Sequence, residues 1–211
     1  MAKLSKKLGK CFPKVVANYL AQAGLQAYQM AYSFLDEKGL WLTERGKDLA
    51  LNVINAYYDL NAKQLAEKGE IPFIFEEREN EAQNCYHGLL VGADCKLTIC
   101  HVQSAGQFPR YSIFRGNYSA NNIEISLFEE DEEKIDDTMA YAILTHMGYD
   151  QIMQHARIGF PLKGQRKWAG NQLNIFDRAA IVETKADESK TLPIQKPRLK
   201  ELKERLGDVL K

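Results

Sequence analysis

The sequence contains no run of about 18 consecutive apolar residues, which is the length that a helix needs to cross a bilayer. The basic stretch MAKLSKKLGKCFPK at the start also has neither an apolar segment nor a small-residue cleavage site behind it, unlike a secretory signal. We therefore expect a soluble, cytoplasmic protein with no membrane partner.

Cysteine is scarce, with four in the chain: Cys11, Cys85, Cys95 and Cys100. In a chain of this size without a secretory signal, such thiols are expected to be reduced. The spacing typical of structural zinc is also missing, because Cys85 begins a Cys-x-His string and Cys100 is directly followed by histidine. We predict neither a disulfide framework nor a bound metal or other cofactor.

Familiar catalytic signatures are absent, since the sequence has no glycine-rich phosphate loop, no GxSxG and no HExxH. A metal-dependent nuclease would need carboxylates and a lysine at one site. Asp94 with Glu132, Glu133 and Lys134 is a conceivable set. The sequence favours a protein without enzymatic activity, and a nuclease stays open as an alternative.

Net charge is also absent, because 28 basic residues balance 28 acidic ones. Attraction to a polyanion would therefore depend on how the charges are distributed. Residues 1–35 carry five lysines and no acid, residues 129–137 are almost entirely acidic, and residues 155–176 are basic again. Two positive patches are separated by a negative one, although runs of this length also occur on ordinary solvated surfaces.

The first third of the chain has the pattern of helices. Pro13 suits a first helical turn, and apolar residues recur behind it at helical spacing until Gly24. A second helical pattern runs on to Gly39, so we predict two short helices that meet at a glycine turn. Thr43 then provides an N-cap for a longer helix.

From Ile71 onward, alternating apolar residues and many aromatics are typical of strands. Residues 84–102 hold two apolar runs around a Gly-Ala-Asp turn and predict a hairpin, and residues 110–114 predict another strand. Consecutive strands with short links favour an antiparallel sheet of about four strands. A helix that starts in the acidic stretch and continues through Ile143 and Leu144 is expected to pack on it.

These patterns predict an α+β fold with four parts. Residues 1–69 would form a helical module, and residues 70–181 an antiparallel α+β domain. The polar residues 182–198, with two prolines, predict a linker. Residues 199–211 have apolar positions at helical spacing and predict a tethered amphipathic helix, which would dock on its own domain or on a partner chain.

The helical module carries a resemblance. The strings KKLGK, PKVVANYLAQAGLQ and GLWLTERGKDL, between Lys6 and Leu49, resemble the winged-helix and helix-turn-helix modules of phage and plasmid regulatory proteins. The resemblance covers about a fifth of the chain, and the wing is very short. It implies a DNA-binding regulator or accessory factor from a mobile element, whereas a plain helical bundle is the structural alternative.

Carried onto this sequence, the resemblance implies that lysines touch phosphates and that glutamines of the second helix reach base edges. The candidate DNA-binding residues of this module are Lys6, Lys7, Lys14, Gln26, Tyr28, Gln29, Arg45 and Lys47.

A second basic stretch combines cations with an aromatic side chain, as nucleic-acid sites do. Its candidate DNA-binding residues are Arg157, Lys163, Arg166, Lys167 and Trp168. The structural alternative is a surface loop whose tryptophan covers the sheet.

Residues 172–176, with the sequence QLNIF, resemble the bacterial sliding-clamp-binding peptide. The resemblance implies that Gln172 sets the orientation by hydrogen bonds while Leu173, Ile175 and Phe176 fill an apolar cleft on the clamp. The same string is also suited to be the last strand of the core.

Our leading hypothesis from the sequence is a non-enzymatic DNA-associated protein that uses both basic stretches. The alternative is a protein-interaction factor that binds a replication or defence component through residues 172–176 or the C-terminal helix. A metal-dependent nuclease is the third hypothesis.

Overall fold

The structure, a computed structural model, describes residues 2–80, 83, 85–120, 122, 139–149, 151–162 and 167–178. The helices are α1 (Ala2–Cys11), α2 (Lys14–Glu37), α3 (Glu44–Glu67), α4 (Ile113–Tyr118) and α5 (Ile175–Arg178). The strands are β1 (Ile74–Glu79), β2 (Tyr86–Val91), β3 (Cys95–His101), β4 (Ala140–Tyr149), β5 (Ile152–Gly159) and β6 (Leu173–Asn174). Of the helices in this part of the chain, none has the length and hydropathy required to cross a membrane.

The long helices α2 and α3 form a hairpin around a 3₁₀ turn at Leu40–Leu42. Thr43 caps α3 as the sequence predicts, because its hydroxyl accepts the N–H of Gly46 at 3.0 Å. The two helices are also tied side by side, since the buried Tyr58 hydroxyl donates to the Leu20 carbonyl at 2.8 Å. The helical character of this part of the chain is confirmed.

Gly24 does not end a helix, and the prediction of two short helices that meet there is wrong. Helix α2 continues through this position. A Cβ atom at Gly24 would lie 2.6 Å from Met153 Sδ and 2.8 Å from Tyr58 Cζ. Glycine is therefore required because α3 and the sheet both approach the helix backbone here.

The described strands form one sheet in the order β1-β2-β3-β4-β5-β6. The predicted hairpin is present as β2 and β3, which pair antiparallel. The expectation of about four antiparallel strands needs correction in two respects. The described strands number six, and β3 pairs with β4 in parallel, an arrangement that a tight turn cannot connect.

Strand β4 occupies the second half of a stretch for which the sequence predicts a helix, so that prediction is wrong from Ala140 onward, and its acidic first half lies outside the described residues. The strand lies between β3 and β5 and is buried on both sides, with Ile143 and Leu144 fully covered. A central strand reads as a continuous apolar run, which short stretches of helix also show. The predicted strand at residues 110–114 is likewise wrong, because α4 begins at Ile113.

The two sides of the sheet have different coverings. On the helical side, Leu97, Leu144 and Ile158 pack in one core cluster with the buried residues of α2 and α3. On the opposite side, which we call the α4 face, Cys100, Tyr141 and Ile143 pack against aromatic residues of other segments. The described residues from Ala2 to Arg178 belong to one compact unit, and the predicted linker and C-terminal helix lie outside the described residues.

Helix α1 is attached to the beginning of β3. The Cys11 and Cys95 side chains are buried and hydrogen-bonded to each other, and both are free thiols. Phe12, just after the helix, stacks on Phe73 with ring centroids 5.8 Å apart. These contacts extend the core of the helical side to the turn between β2 and β3.

His146 on β4 joins both long helices to the sheet. Its Nδ1 accepts a hydrogen bond from the Tyr28 hydroxyl of α2 at 3.0 Å, and its Nε2 donates to Asn55 Oδ1 of α3, also at 3.0 Å. Complete burial, with smaller effects of His101 and His155, lowers the pKa of His146 to about 3. The imidazole is therefore neutral at physiological pH.

Substitution of Gly24 by alanine tests the close packing at this position. In an ordinary helix interior this change stabilises by about 1 kcal/mol. Here we expect a loss of about 1–3 kcal/mol, because the buried Tyr58 ring has no room to move away. Urea unfolding measures the change. The exposed Gln29→Ala on the same helix should shift stability by less than about 0.5 kcal/mol, and a stabilised Gly24→Ala variant would contradict the packing.

Protonation of His146 should destabilise the folded state. Its folded pKa lies below the ordinary value, so its contribution is complete above about pH 6.5 and is lost as the pH falls towards 3. We expect the difference in unfolding free energy between the wild type and His146→Gln to fall by about 1.4 kcal/mol per pH unit between about pH 6 and pH 4.

The unfolding free energy of the wild type must be compared with that of His146→Gln, because the titration of Asp59 changes stability with pH in the opposite direction. Burial raises the pKa of Asp59 to about 7, so its contribution grows as the pH falls through that value. Tyr28→Phe is the matched control, because it removes one hydrogen bond of His146 and retains the buried imidazole. A difference between wild type and His146→Gln that does not change with pH would contradict the neutral, buried histidine.

Candidate nucleic-acid interface

Helix α4 packs on the side of the sheet opposite the long helices, where its aromatic rings contact rings of the strands. Phe114 stacks on His87 of β2 with centroids 3.8 Å apart, and Tyr118 packs on Tyr141 of β4 at 5.3 Å. Lys96 of β3 places its Nζ 5.5 Å from the Tyr118 ring, within cation–π range. The helix is short, and these ring contacts hold it in place.

Arg115 is the cation that organises the segment before α4. One terminal nitrogen donates to Cys100 Sγ at 3.4 Å, and the other donates to the Arg110 carbonyl oxygen. Its guanidinium carbon lies 5.0 Å from the centre of the Phe114 ring. Burial raises the pKa of Cys100, so this sulfur is a neutral thiol that accepts from the arginine.

A cavity of about 120 Å³ opens beside α4. Its walls include Phe108, Arg110, Tyr111, Ser112 and Arg115, with Ile143 of β4 among the other residues that line it. Arg110 is exposed, and Tyr111 has 63% of its surface accessible to solvent. The cavity therefore combines two arginines with aromatic rings at the protein surface.

Asn122 fixes the neighbouring backbone segments. Its side-chain nitrogen donates to the carbonyl oxygens of Tyr141 and Pro161, each at 2.8 Å, and its oxygen accepts the N–H of Tyr141 at 2.8 Å. The residue is completely buried. It joins β4 to the segment after β5, and both contribute to the cavity wall.

Trp168 extends the aromatic surface. Residues Pro161 and Trp168 form an antiparallel bridge, and the indole packs on Phe108 with ring centroids 4.8 Å apart. A Cβ atom at Gly159 would lie 2.7 Å from the indole, so glycine leaves room for the ring to approach β5. Trp168 is half-buried. It covers the sheet, as the structural alternative for this residue predicts.

Several hydrogen-bond donors on this side have no protein acceptor in the described part of the chain. They are buried atoms of Ser112 (Oγ), Arg157 (Nε), Trp168 (Nε1) and Gln172 (Nε2). Buried polar groups are normally paired, so a group of unpaired donors calls for an explanation. Acceptor oxygens are the kind of partner that these donors lack.

The second predicted basic stretch contributes to the α4 face. Arg157 pairs with Thr145 across the sheet on this side, and Lys167 is exposed next to Trp168. Lys163 and Arg166 lie outside the described residues.

Sequence reasoning missed Phe108, Arg110, Tyr111 and Arg115. The signal was the string FPRYSIFR, in which arginines alternate with aromatics. Part of this string also has the pattern of a strand, which concealed it.

The first predicted patch lies in the helical layer, on the other side of the sheet from the α4 face. Lys6, Lys14, Gln26, Gln29, Arg45 and Lys47 are exposed there, and Lys7 is half-buried. Lys47 pairs with Glu44 at 2.6 Å. Tyr28 must be removed from this set, because it is completely buried and hydrogen-bonded to His146.

The predicted clamp-binding string is packed. Leu173 lies in β6 and pairs with Ile158, Ile175 is fully buried, and Gln172 and Phe176 are half-buried. Clamp binding stays a prediction, and it would require this segment to leave the core.

For the predicted nuclease set, Asp94 pairs with Lys10 at 3.3 Å, and Glu132, Glu133 and Lys134 lie outside the described residues. The described residues contain no group of three side chains that could hold a metal ion.

Comparisons with known protein families, curated proteins and solved structures find no match for this chain.

Replacement of Asn122 by alanine should disorganise the cavity. Three hydrogen bonds are lost and three backbone groups are left unpaired in the interior, so we expect a loss of at least about 3 kcal/mol in urea unfolding. Asn52→Ala, at an exposed position of α3, should change stability by less than about 0.5 kcal/mol. Equal stability of the two variants would show that Asn122 does not hold these segments.

Proposed function

We propose that this protein binds single-stranded nucleic acid on the α4 face. The observation that carries the proposal is the alternation of cations and aromatic rings around the cavity, where exposed Arg110 and Tyr111 lie beside Arg115. Cations that track phosphates, combined with rings on which bases stack, are the features of surfaces that bind single strands.

The local charge of this face supports the proposal although the whole chain is neutral. Its cations come from separate elements: Lys96 from β3, Arg110 from the segment before α4, Arg115 from α4, Arg157 from β5, and Lys167. The carboxylate of Glu76 at the β1 edge is neutralised by Arg78. A phosphate backbone that crosses this face would therefore meet several positive charges.

The form of the surface favours a single strand over a duplex. Tyr111 is exposed at the cavity, whereas Phe108 and Trp168 form a tilted pair of rings next to it. Unpaired bases can stack on such rings, but bases within a duplex are already stacked. The predicted patch on α1 to α3 lies on the other side of the sheet, so this proposal does not depend on it.

Fluorescence anisotropy with labelled single-stranded DNA, single-stranded RNA and duplex DNA across a salt series tests the proposal. We expect Tyr111→Ala to weaken binding of the single strands about tenfold, because one base loses its stacking partner. Arg110→Ala with Lys167→Ala should also weaken binding. This double variant should lower the log–log salt slope by about 0.7 for each phosphate that the protein no longer neutralises.

Lys14→Ala with Lys47→Ala is the matched control, since it removes two exposed lysines from the helical side. That variant should retain the affinity of the wild type for single strands. A loss that is equal in both double variants would assign the binding to general charge, and the same affinity for duplex and single strand would contradict recognition by stacking.

A further inference from the structure

A groove of about 340 Å³, which has no role in the proposed function, lies between α3 and the first two strands. It is on the helical side of the sheet, away from the α4 face. Ala56 and Leu60 of α3 form one wall, and Phe75 and Tyr86 form the other. Tyr86 and Leu60 are exposed, at 66% and 42% of their surfaces, so the apolar walls are open to solvent.

Asp59 projects from α3 into this groove. Its carboxylate accepts the backbone N–H of Gly88 on β2. A Cβ atom at Gly88 would lie 2.8 Å from both the carboxyl carbon of Asp59 and the Phe75 ring. Glycine at this position therefore allows an acidic side chain of a helix to reach the backbone of the sheet.

Asp59 has no cationic partner among the described residues. Lys63, one turn further along α3, places its Nζ 3.9 Å from Glu77 Oε1 on β1. Burial, with a smaller effect of the Glu77 charge, raises the pKa of Asp59 to about 7. A half-buried acid without a nearby cation is costly to ionise, and an apolar cleft that contains such a group is a candidate binding site.

The chemistry of the groove selects one class of ligand. Two carboxylates face a single lysine, so an anion would be repelled. The aromatic walls and Leu60 suit an apolar body, and a buried carboxylate suits a charged donor. We propose that this groove binds a small organic amine whose ammonium group pairs with Asp59 and whose apolar body lies between α3 and the Phe75 and Tyr86 rings.

Binding should depend on pH through the groups that face Asp59. These are Lys63 from α3, Glu77 from β1 and Tyr86 from β2. His87 borders the groove through its place in β2, but its ring points to the α4 face and stacks on Phe114. Because the pKa of Asp59 is about 7 and the ammonium binds the ionised form, affinity should fall about tenfold from pH 8 to pH 6.

The test is an NMR titration of the ¹⁵N-labelled full chain with 2-phenylethylamine, with 2-phenylethanol as the neutral analogue of similar shape. We expect the amine to shift the Gly88 amide and its neighbours saturably at millimolar concentrations, and the alcohol to bind at least about tenfold more weakly. Asp59→Asn should remove this preference. Asp36→Asn, an exposed acid on α2, should retain it.

Several outcomes would overturn the proposal. They are equal binding of amine and alcohol, no saturable shift around Gly88, an affinity that is unchanged between pH 8 and pH 6, and an Asp59→Asn protein that keeps the preference. The comparison of amine and alcohol binding to the wild-type protein needs no variant. It therefore tests the proposal even if Asp59→Asn does not fold. No nucleic acid enters this experiment, and its failure is therefore distinct from failure of the proposed function.

Discussion

The hydrogen bonds of one buried histidine tie both long helices to the same side of the sheet. His146 lies in β4, inside the sheet, and bonds to α2 through Tyr28 and to α3 through Asn55. A neutral imidazole accepts one of these bonds and donates the other, so both helices depend on the same protonation state. With the two long helices held on that side, the described residues that pack on the opposite side, the α4 face, come from α4 and from the segments around Phe108 and Trp168.

The second constraint on this arrangement is the space that three glycines leave for side chains of neighbouring elements. Gly24 allows α2 to meet α3 and β5, Gly88 allows α3 to meet β2 through Asp59, and Gly159 allows Trp168 to lie on β5. Each glycine stands where a side chain of another element occupies the space of a Cβ atom. The groove beside α3 and the aromatic surface beside α4 are both consequences of these contacts, although they lie on opposite sides of the sheet.

Local chemistry explains which elements could be predicted. The Thr43 cap, the hairpin of β2 and β3 and the helical character of the first third depend on residues that are neighbours in the chain. Strand β4 could not be recognised in this way, because a strand buried on both sides has no alternation to distinguish it from a helix. The predicted helix break at Gly24 and the predicted strand that begins at Arg110 were wrong for a related reason, because residues distant in sequence surround both positions.

By itself, the sequence determined the α+β composition, the helical character of the first third, the hairpin of β2 and β3 and the presence of basic and aromatic strings. Only the tertiary structure decided where those strings meet. The packing of elements that are distant in sequence brings Arg110, Arg115 and Trp168 to one face, buries Tyr28 against His146, and places Asp59 in a groove where the described residues offer it no cationic partner. Spacing along the chain carries no information about such encounters, because they depend on how the sheet is ordered and on which of its faces the helices cover.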